Sequence, residues 1–247
     1  ALYYTIGLIS YTVMIVALFP SISSVKIDYL QQLPENLIKF FGSDSASIMT
    51  FNGFISLEFL SLFFVLIIAF FIGSSAGATI AGSKERKTLD FQLSQPISRP
   101  TLIISETIVG LIYTMFFVIM TSASIYLSGK IFGVSINDNG LIAFTLVATL
   151  FLWAIYGIAI FLSSIMANKI AVAGATVSIV MAFYIFTALT SIITKFNNFD
   201  KLSIFYTYNP QKLLENGHIH IHQIEALIVI FIIGIVASIV FFNKKDV

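Results

Sequence analysis

Cysteine and charged residues are scarce in this sequence. Its 247 residues include no Cys, and Asp, Glu, Lys and Arg together make up 10%, against about 25% in soluble domains. The lack of Cys excludes disulfides and thiolate metal sites. A net charge of +1 provides no basic surface for a nucleic acid, so no nucleic-acid partner is predicted. So little polar surface also excludes a soluble enzyme and a disordered chain.

Hydrophobic residues form 58% of the chain and are concentrated in six long runs. A hydrocarbon core of about 30 Å requires roughly 20 apolar residues per helix, and none of the runs shows the alternation of a barrel strand. We predict an all-α membrane protein with one transmembrane domain over residues 1–247. Its six spans are predicted at about residues 2–19, 58–81, 102–127, 141–165, 170–193 and 224–242. The first run begins at Ala1 without Met or a basic flank, so we expect a short segment to precede it.

The distribution of Lys and Arg predicts the orientation of these spans. The segments 82–101, 166–169 and 243–247 are short, yet they hold both Arg residues and five of the Lys residues. The longer segments on the other side hold the remaining Lys residues and no Arg. Because basic residues concentrate in cytoplasmic loops, we predict that both termini are cytoplasmic.

Charged residues are absent from the interiors of the predicted spans. Glu58 and Glu225 are predicted at outer ends and Glu106 near an inner end. An ion-coupled transporter normally keeps an ionisable coupling residue inside its bundle. A secondary transporter or channel therefore remains an alternative, although the sequence shows no coupling residue for it. A membrane sensor or assembly protein with a docking loop is the other alternative.

The sequence contains no recognisable catalytic or nucleotide-binding motif. The stretch from Gly77 to Lys84 has the spacing of a phosphate loop, but it ends in Ser-Lys, whereas a phosphate loop requires Gly-Lys-Ser/Thr after a strand. H-E-x-x-H does not occur, and residues 73–77 (GSSAG) match G-x-S-x-G only within a predicted membrane span, not at the strand-to-helix turn that this motif requires. We therefore predict that this chain is not an enzyme by itself and binds no cofactor.

The longest predicted cytoplasmic loop, residues 82–100, has the pattern of a short amphipathic helix. Leu89 and Leu93 are four residues apart, and Pro96 would end the helix. Ser98 and Pro100 predict the cap and the first turn of the third span. The loop is either an ordinary interfacial helix or a docking surface for a cytoplasmic partner.

The same loop resembles a family pattern. Residues 81–99, AGSKERKTLDFQLSQPISR, are similar to A-G-E-E-E-x-G-T-L-[DE]-x-L-L-[ST]-x-P-[IV]-[ST]-R, which marks permease subunits of type-2 ABC exporters. Residues 33–37 (LPENL), 206–210 (YTYNP) and 213–217 (LLENG) look like two further segments of that family. The resemblance covers the whole chain, and this loop is its most specific part.

The resemblance implies that residues 84–95 form a coupling helix that docks on a nucleotide-binding subunit. The positions carried over to this role are Lys84, Glu85, Arg86, Lys87, Thr88, Leu89, Asp90 and Leu93. The chain departs from the pattern at Ser83 and Lys84, where acidic residues are usual, and at Lys87, where Gly is usual. A more basic loop implies a more acidic partner groove.

The resemblance further implies a permease half of an ATP-driven exporter in the plasma membrane of a bacterium. ATP and Mg would be bound by separate cytoplasmic ABC ATPase subunits. A second permease copy or a paralogue and membrane lipid would be the other partners. Spans rich in Phe, Ile, Leu, Ser and Thr favour a hydrophobic or amphipathic cargo, such as a drug, an antibiotic or a membrane-active peptide.

Three further patterns lead to structural predictions. His218, His220 and His222 would share one face of an extended strand, but with no Cys nearby they are predicted as interfacial polar residues rather than a metal site. Asn209 and Gly217 predict the cap and the end of a short helix. Small residues let helices approach closely in lipid. The helix-packing positions predicted on this basis are Gly73, Gly77 and Gly82, with Ala171, Gly174 and Ala175 on the fifth span. They are predicted to pack helices within the subunit, and pairing of two subunits is the alternative.

Overall fold

The computed structural model describes residues 2–24, 50–88, 98–192, 203–219 and 221–244. Helices account for 88% of them, and none of these residues lies in a strand. Six helices in the described part of the chain are long and apolar enough to cross a membrane. The predicted all-α fold with six spans is therefore confirmed.

The spans keep the order predicted from the sequence. Spans one to six are Leu2–Ser24, Phe51–Thr79, Arg99–Phe132, Asp138–Ile165, Lys169–Ile192 and Ile221–Lys244. Span two is composed of an α-helical turn, a π-helix and a longer α-helix, at Phe51–Ile55, Ser56–Leu60 and Phe63–Thr79. Short helices lie between spans, at Ala81–Glu85, Ile204–Tyr206 and Pro210–Asn216.

Span two begins at Phe51, seven residues before the predicted start at Glu58. The sequence prediction was wrong here because Asn52 and Gly53 lower the local hydropathy. The structure starts the helix with a cap instead, since the Thr50 hydroxyl accepts a hydrogen bond from the backbone N of Gly53 at 3.1 Å. Glu58 consequently lies half-buried in the π-helix rather than at the end of the span.

Span three is the longest helix and starts as the sequence predicts. The hydroxyl of Ser98 accepts a hydrogen bond from the backbone N of Thr101 at 3.3 Å, and Pro100 lies in the first turn. The helix has 34 residues, about 50 Å at 1.5 Å per residue, which exceeds a hydrocarbon core of about 30 Å. Its last turn is followed by Gly133 with a positive φ of 69°, a conformation that ends helices.

The described chain divides into two compact units. The first comprises Ala1–Val65, Phe116–Ala148 and Phe183–His220, and the second Leu66–Met115, Thr149–Ala182 and Ile221–Val247. A series of ring contacts runs through the core of the first unit, with centroid separations from 5.1 to 6.4 Å. The rings in this series belong to Tyr11, Phe59, Phe64, Phe144, Tyr208 and Phe205.

The short helix Pro210–Asn216 in the first unit has the predicted termini. The side chain of Asn209 accepts a hydrogen bond from the backbone N of Lys212 at 3.1 Å, and Gly217 ends the helix in the left-handed region at φ 64°. Gly140, in the first turn of span four, lies so close to the backbone of Leu214 that a Cβ would clash. The cap stabilises the short helix itself, and the close approach at Gly140 places it against span four.

Glycines allow close helix approach in the second unit. A Cβ on Gly73 would lie 2.7 Å from Cα of Ala173, and one on Gly157 would lie 2.8 Å from the carbonyl O of Phe231. The backbones of spans two and five, and of spans four and six, therefore meet without intervening side chains. Such contacts gain dispersion energy in a setting where lipid removes the hydrophobic driving force between helices.

The face of span five that makes this approach differs from the predicted one. Ala173 and Thr176 are buried and lie next to Gly73. Ala171 and Gly174 are exposed, and nothing lies within 4 Å of a Cβ placed on Gly174. Of the predicted strip, Ala175 packs against the core cluster of Ala81, Leu162 and Val172, whereas Ala171 and Gly174 face away from span two, because small residues alone do not indicate the rotation of a helix about its axis.

Candidate functional site

The segment after span two folds into a compact turn, residues 81–88, named here the 81–88 turn. The helix Ala81–Glu85 is closed by hydrogen bonds from the backbone N of Thr88 to the carbonyl O of Ser83 (2.9 Å) and from the backbone N of Lys87 to the carbonyl O of Lys84 (3.0 Å). This pair of bonds is the Schellman arrangement that ends many helices. Lys87 occupies its left-handed position, with φ 57°.

The structure of the turn contradicts the predicted start of the helix in this loop. Lys84 and Glu85 form the last turn of a short helix that follows span two, and residues 86–88 are not helical. The prediction of a continuous helix over residues 84–95 is therefore wrong at its N-terminal end. The predicted docking positions Leu89, Asp90 and Leu93 lie outside the described residues.

A serine from span four holds the junction between span two and the turn. The hydroxyl of Ser163 accepts hydrogen bonds from the backbone N of Ile80 at 3.4 Å and of Ala81 at 3.2 Å. All three residues are fully buried. Because a buried N–H without a partner is costly, this one hydroxyl satisfies two donors at the point where the helix changes from Phe63–Thr79 to Ala81–Glu85.

Glu85 connects the turn to the beginning of span five. Its carboxylate accepts hydrogen bonds from the backbone N of Lys169 at 3.1 Å and from the side-chain amide of Asn168 at 3.4 Å. The Asn168 side chain in turn accepts from the backbone N of Ile170 and of Ala171. A carboxylate is favoured at a helix N-terminus because the free N–H groups there carry partial positive charge.

Two cationic side chains lie close to the last residues of span six. The ammonium of Lys84 donates to the carbonyl O of Ser164 at 3.4 Å and lies 5.9 Å from the centroid of the Phe242 ring. The guanidinium of Arg99 lies 5.4 Å from the same ring and donates to the carbonyl O of Phe242 at 2.9 Å. These contacts join the turn and the start of span three to the ends of spans four and six.

The predicted docking residues thus fall into two groups. Lys84 and Glu85 contact other helices of the same unit, whereas the side chains of Arg86 and Lys87 are exposed and Thr88 is half-buried. Glu85 is exposed as well as bonded to span five, so the exposed residues of the turn carry two positive charges and one negative charge. Of the three predicted packing glycines, Gly73 and Gly77 approach span five, and a Cβ on Gly82, which lies within the turn, would contact the carbonyl O of Gly77.

Neither His218 nor His222 lies in the strand considered in the sequence analysis. His222 lies in the first turn of span six, 97% exposed, with its Nδ1 3.4 Å from a carboxylate O of Glu225. His218 is exposed in the preceding segment, and His220 lies outside the described residues. Over the residues described, no group of three His, Cys, Asp or Glu side chains could hold a metal ion.

Comparison with known proteins identifies the family. A family model of the ABC-2 family transporter protein matches residues 2–247. The chain belongs to this family. It is a multi-pass membrane component of an ABC-2 transporter, and the ATPase activity of such transporters does not reside in components of this kind. Family membership implies association with ABC ATPase subunits in general. Searches among curated proteins and among solved structures found no match.

The sequence reasoning missed the contacts that hold the turn of this ABC-2 component in place. Ser163 is one of several serines in the spans, and nothing local distinguishes it. Its role depends on the register between spans two and four, which brings together residues more than 80 positions apart. For the Glu85–Asn168 pair, the sequence offered one weak indication: Asn is a common residue at the start of a helix, which marks Asn168 as a possible cap.

Proposed function

We propose that the chain is the permease subunit of an ATP-driven exporter that moves a hydrophobic or amphipathic cargo out of the cell. Family membership supports the transporter class. The observation that carries the coupling mechanism is the double connection of the 81–88 turn, through Ser163 to span four and through Glu85 to span five. A partner that displaces the turn would act on both of these spans.

In this mechanism the energy comes from separate ATPase subunits that bind ATP and Mg. Closure of those subunits would push on the exposed side of the turn at Arg86 and Lys87. The displacement would be transmitted through the Glu85 carboxylate to the start of span five and through the Lys84 ammonium to the end of span four. Spans four and five would therefore respond along with spans two and three, which border the loop directly.

The proposed assembly contains two permease chains, either identical or paralogous, and two ATPase chains. The translocation path would lie between the permease chains and open alternately to each side of the membrane. The 81–88 turn and both termini would face the cytoplasm, in agreement with the excess of Lys and Arg in the short segments. A bacterial plasma membrane is the proposed location.

The composition of the buried residues supports an apolar or amphipathic cargo. In the described ranges, the buried polar side chains are those of Ser, Thr, Tyr and one Gln, and none belongs to Asp, Glu, Lys, Arg or His. A hydrated inorganic ion would need charged groups or a dense set of oxygen ligands. A drug, an antibiotic or a membrane-active peptide would instead be accommodated by Phe, Ile and Leu with scattered hydroxyls.

Native mass spectrometry of the complex, purified gently from its own host, tests this function. The wild-type preparation is expected to contain two membrane chains and two ABC ATPase chains. The double variant Arg86→Glu/Lys87→Glu should lose the ATPase chains, whereas Lys212→Glu, which alters an exposed Lys on a different short helix, should retain them. Transport by the wild-type chain alone in liposomes, driven by an ion gradient, would instead establish a secondary transporter.

A further inference from the structure

Two cationic side chains of the second unit lie against one aromatic ring. The Lys84 ammonium lies 5.9 Å, and the Arg99 guanidinium 5.4 Å, from the centroid of the Phe242 ring. Each cation also donates to a backbone carbonyl near the C-terminus of a span, Lys84 to Ser164 at 3.4 Å and Arg99 to Phe242 at 2.9 Å. These contacts hold two full positive charges close together beside the ends of spans four and six.

The protein groups around this pair neutralise its charge only in part. The C-terminal end of a helix carries about half a negative charge, and an aromatic ring attracts cations only through its quadrupole. The described acidic side chains nearest this end of the unit are both exposed: Glu85, which is bonded to the start of span five, and Glu106, seven residues after Arg99 in span three. The described basic side chains at this end are more numerous, namely Lys84, Arg86, Lys87, Arg99, Lys169 and Lys244. An anion beside Lys84 and Arg99 would therefore be stabilised.

The surroundings of the two cations indicate which kind of anion fits. Lys84 and Arg99 are half-buried, and exposed apolar side chains lie nearby in spans three and six. Phe241, next to Phe242, is 49% exposed, and Ile104, five residues after Arg99, is 45% exposed. A cation at the end of a span, beside exposed apolar surface, suits the headgroup region of a bilayer. There the charge meets lipid phosphates while the apolar residues meet acyl chains.

We propose that Lys84 and Arg99, both in contact with the Phe242 ring, form a binding site for the phosphate of an anionic phospholipid. The guanidinium suits a phosphate because it offers parallel N–H donors, and the ammonium adds a point charge. The acyl chains would extend along Phe241 and Ile104. Because one cation belongs to the 81–88 turn and the other to the start of span three, a bound headgroup links these two segments. The inference concerns a lipid and does not depend on the proposed function.

Lipid titration of the full chain tests the site. The chain, purified in a neutral detergent, is titrated with phosphatidylglycerol or with phosphatidylcholine, and bound lipids are counted by native mass spectrometry. Since each Lys or Arg beside an anionic headgroup strengthens binding by about fivefold, the wild-type chain should prefer phosphatidylglycerol by about 20-fold. Lys84→Gln and Arg99→Gln should each lower this preference about fivefold. Arg99→Lys keeps the charge and should retain most of the preference.

A matched control separates a defined site from diffuse attraction to a basic surface. Lys169 is another half-buried cation at the same end of the unit, and Lys169→Gln changes the net charge equally. It should leave the lipid preference nearly unchanged, and a loss as large as that of Arg99→Gln would overturn the proposal. Equal affinity of the wild-type chain for the two lipids would overturn it as well. Inorganic phosphate should compete weakly, whereas displacement of the lipid by phosphate at equal concentration would assign the site to a soluble anion instead.

Discussion

The carboxylate of Glu85 accepts a hydrogen bond from the backbone N of Lys169 at 3.1 Å. The two residues are 84 positions apart, and the bond places the end of one short helix against the beginning of span five. Asn168 caps the same helix end, with its side-chain O 2.8 Å from the backbone N of Ile170. The start of span five is thus held both by its own cap and by an acidic residue from the 81–88 turn.

Replacing Glu85 with Gln tests the electrostatic part of this contact. The amide O can still accept a hydrogen bond, but the negative charge at the helix N-terminus is lost. We expect the free energy of unfolding to fall by about 0.3–1 kcal/mol, the usual size of such a charge effect. Denaturant titration of the purified protein in mild detergent measures it. Glu106→Gln, at an exposed side chain in span three, is the control and should change stability less.

If the proposed function is correct, Glu85→Gln should also lower transport per ATP hydrolysed. The ATPase would still bind, because Arg86 and Lys87 are unchanged, but the movement would reach span five less efficiently. Simultaneous measurement of transport and ATP hydrolysis in liposomes checks this. An unchanged ratio would argue against transmission through Glu85.

Replacing Ser163 with Ala removes the acceptor of two buried N–H groups. Without the hydroxyl, the backbone N of Ile80 and of Ala81 lose the partner at 3.4 and 3.2 Å. Leaving a buried donor unsatisfied costs about 1–3 kcal/mol, so we expect a loss of stability in that range. Hydrogen exchange should increase at these two amides. Ser105→Ala is the matched control, since the exposed Ser105 hydroxyl bonds only within its own helix.

Two glycines provide a matched pair for testing helix packing. In Gly73→Ala the new Cβ would lie 2.7 Å from Cα of Ala173, so spans two and five must separate, at a cost of about 1–3 kcal/mol. In Gly174→Ala the Cβ meets nothing within 4 Å, and stability should rise by about 0.5–1 kcal/mol because Ala favours the helix. Thermal unfolding should therefore shift in opposite directions. A shift in the same direction would contradict the described rotation of span five.

Local features of the fold could be predicted from the sequence, whereas contacts between distant helices could not. The caps at Ser98 and Asn209 and the helix end at Gly217 depend on residues at most four positions away. The start of span two was missed because the polar residues before Glu58 hid a packed and capped helical turn. Hydropathy measures average composition and does not register such local packing.

The candidate site was predictable only in part. The basic character of the loop follows from Arg86 and Lys87 directly. The contact of Glu85 with span five and the acceptor role of Ser163 depend on helix register and rotation, which determine which side chains meet. A left-handed residue at position 87 could be suspected from the family pattern, in which Gly is usual there, because Gly tolerates positive φ.

The last prediction concerns Tyr208 and the π-helix of span two. The Tyr208 hydroxyl donates to the carbonyl O of Leu60 at 2.9 Å, and the residue is 3% exposed. Burial raises the pKa of the Tyr208 phenol well above its ordinary value of 10, so the hydroxyl stays protonated in the folded protein. Tyr208→Phe leaves the Leu60 carbonyl without this donor, and we expect a loss of about 0.5–1.5 kcal/mol at pH 7.

The same pKa difference predicts a pH dependence with a definite sign. Above pH 10 the unfolded chain releases the phenolic proton, whereas the folded chain retains it, so the unfolded state is increasingly favoured as pH rises. The stabilising contribution of Tyr208 is therefore fully present below pH 10 and declines above it. The stability difference between wild type and Tyr208→Phe should narrow in that range, whereas Tyr206→Phe, 40% exposed, should track the wild type. A constant difference up to pH 11 would show that the phenol titrates equally in both states.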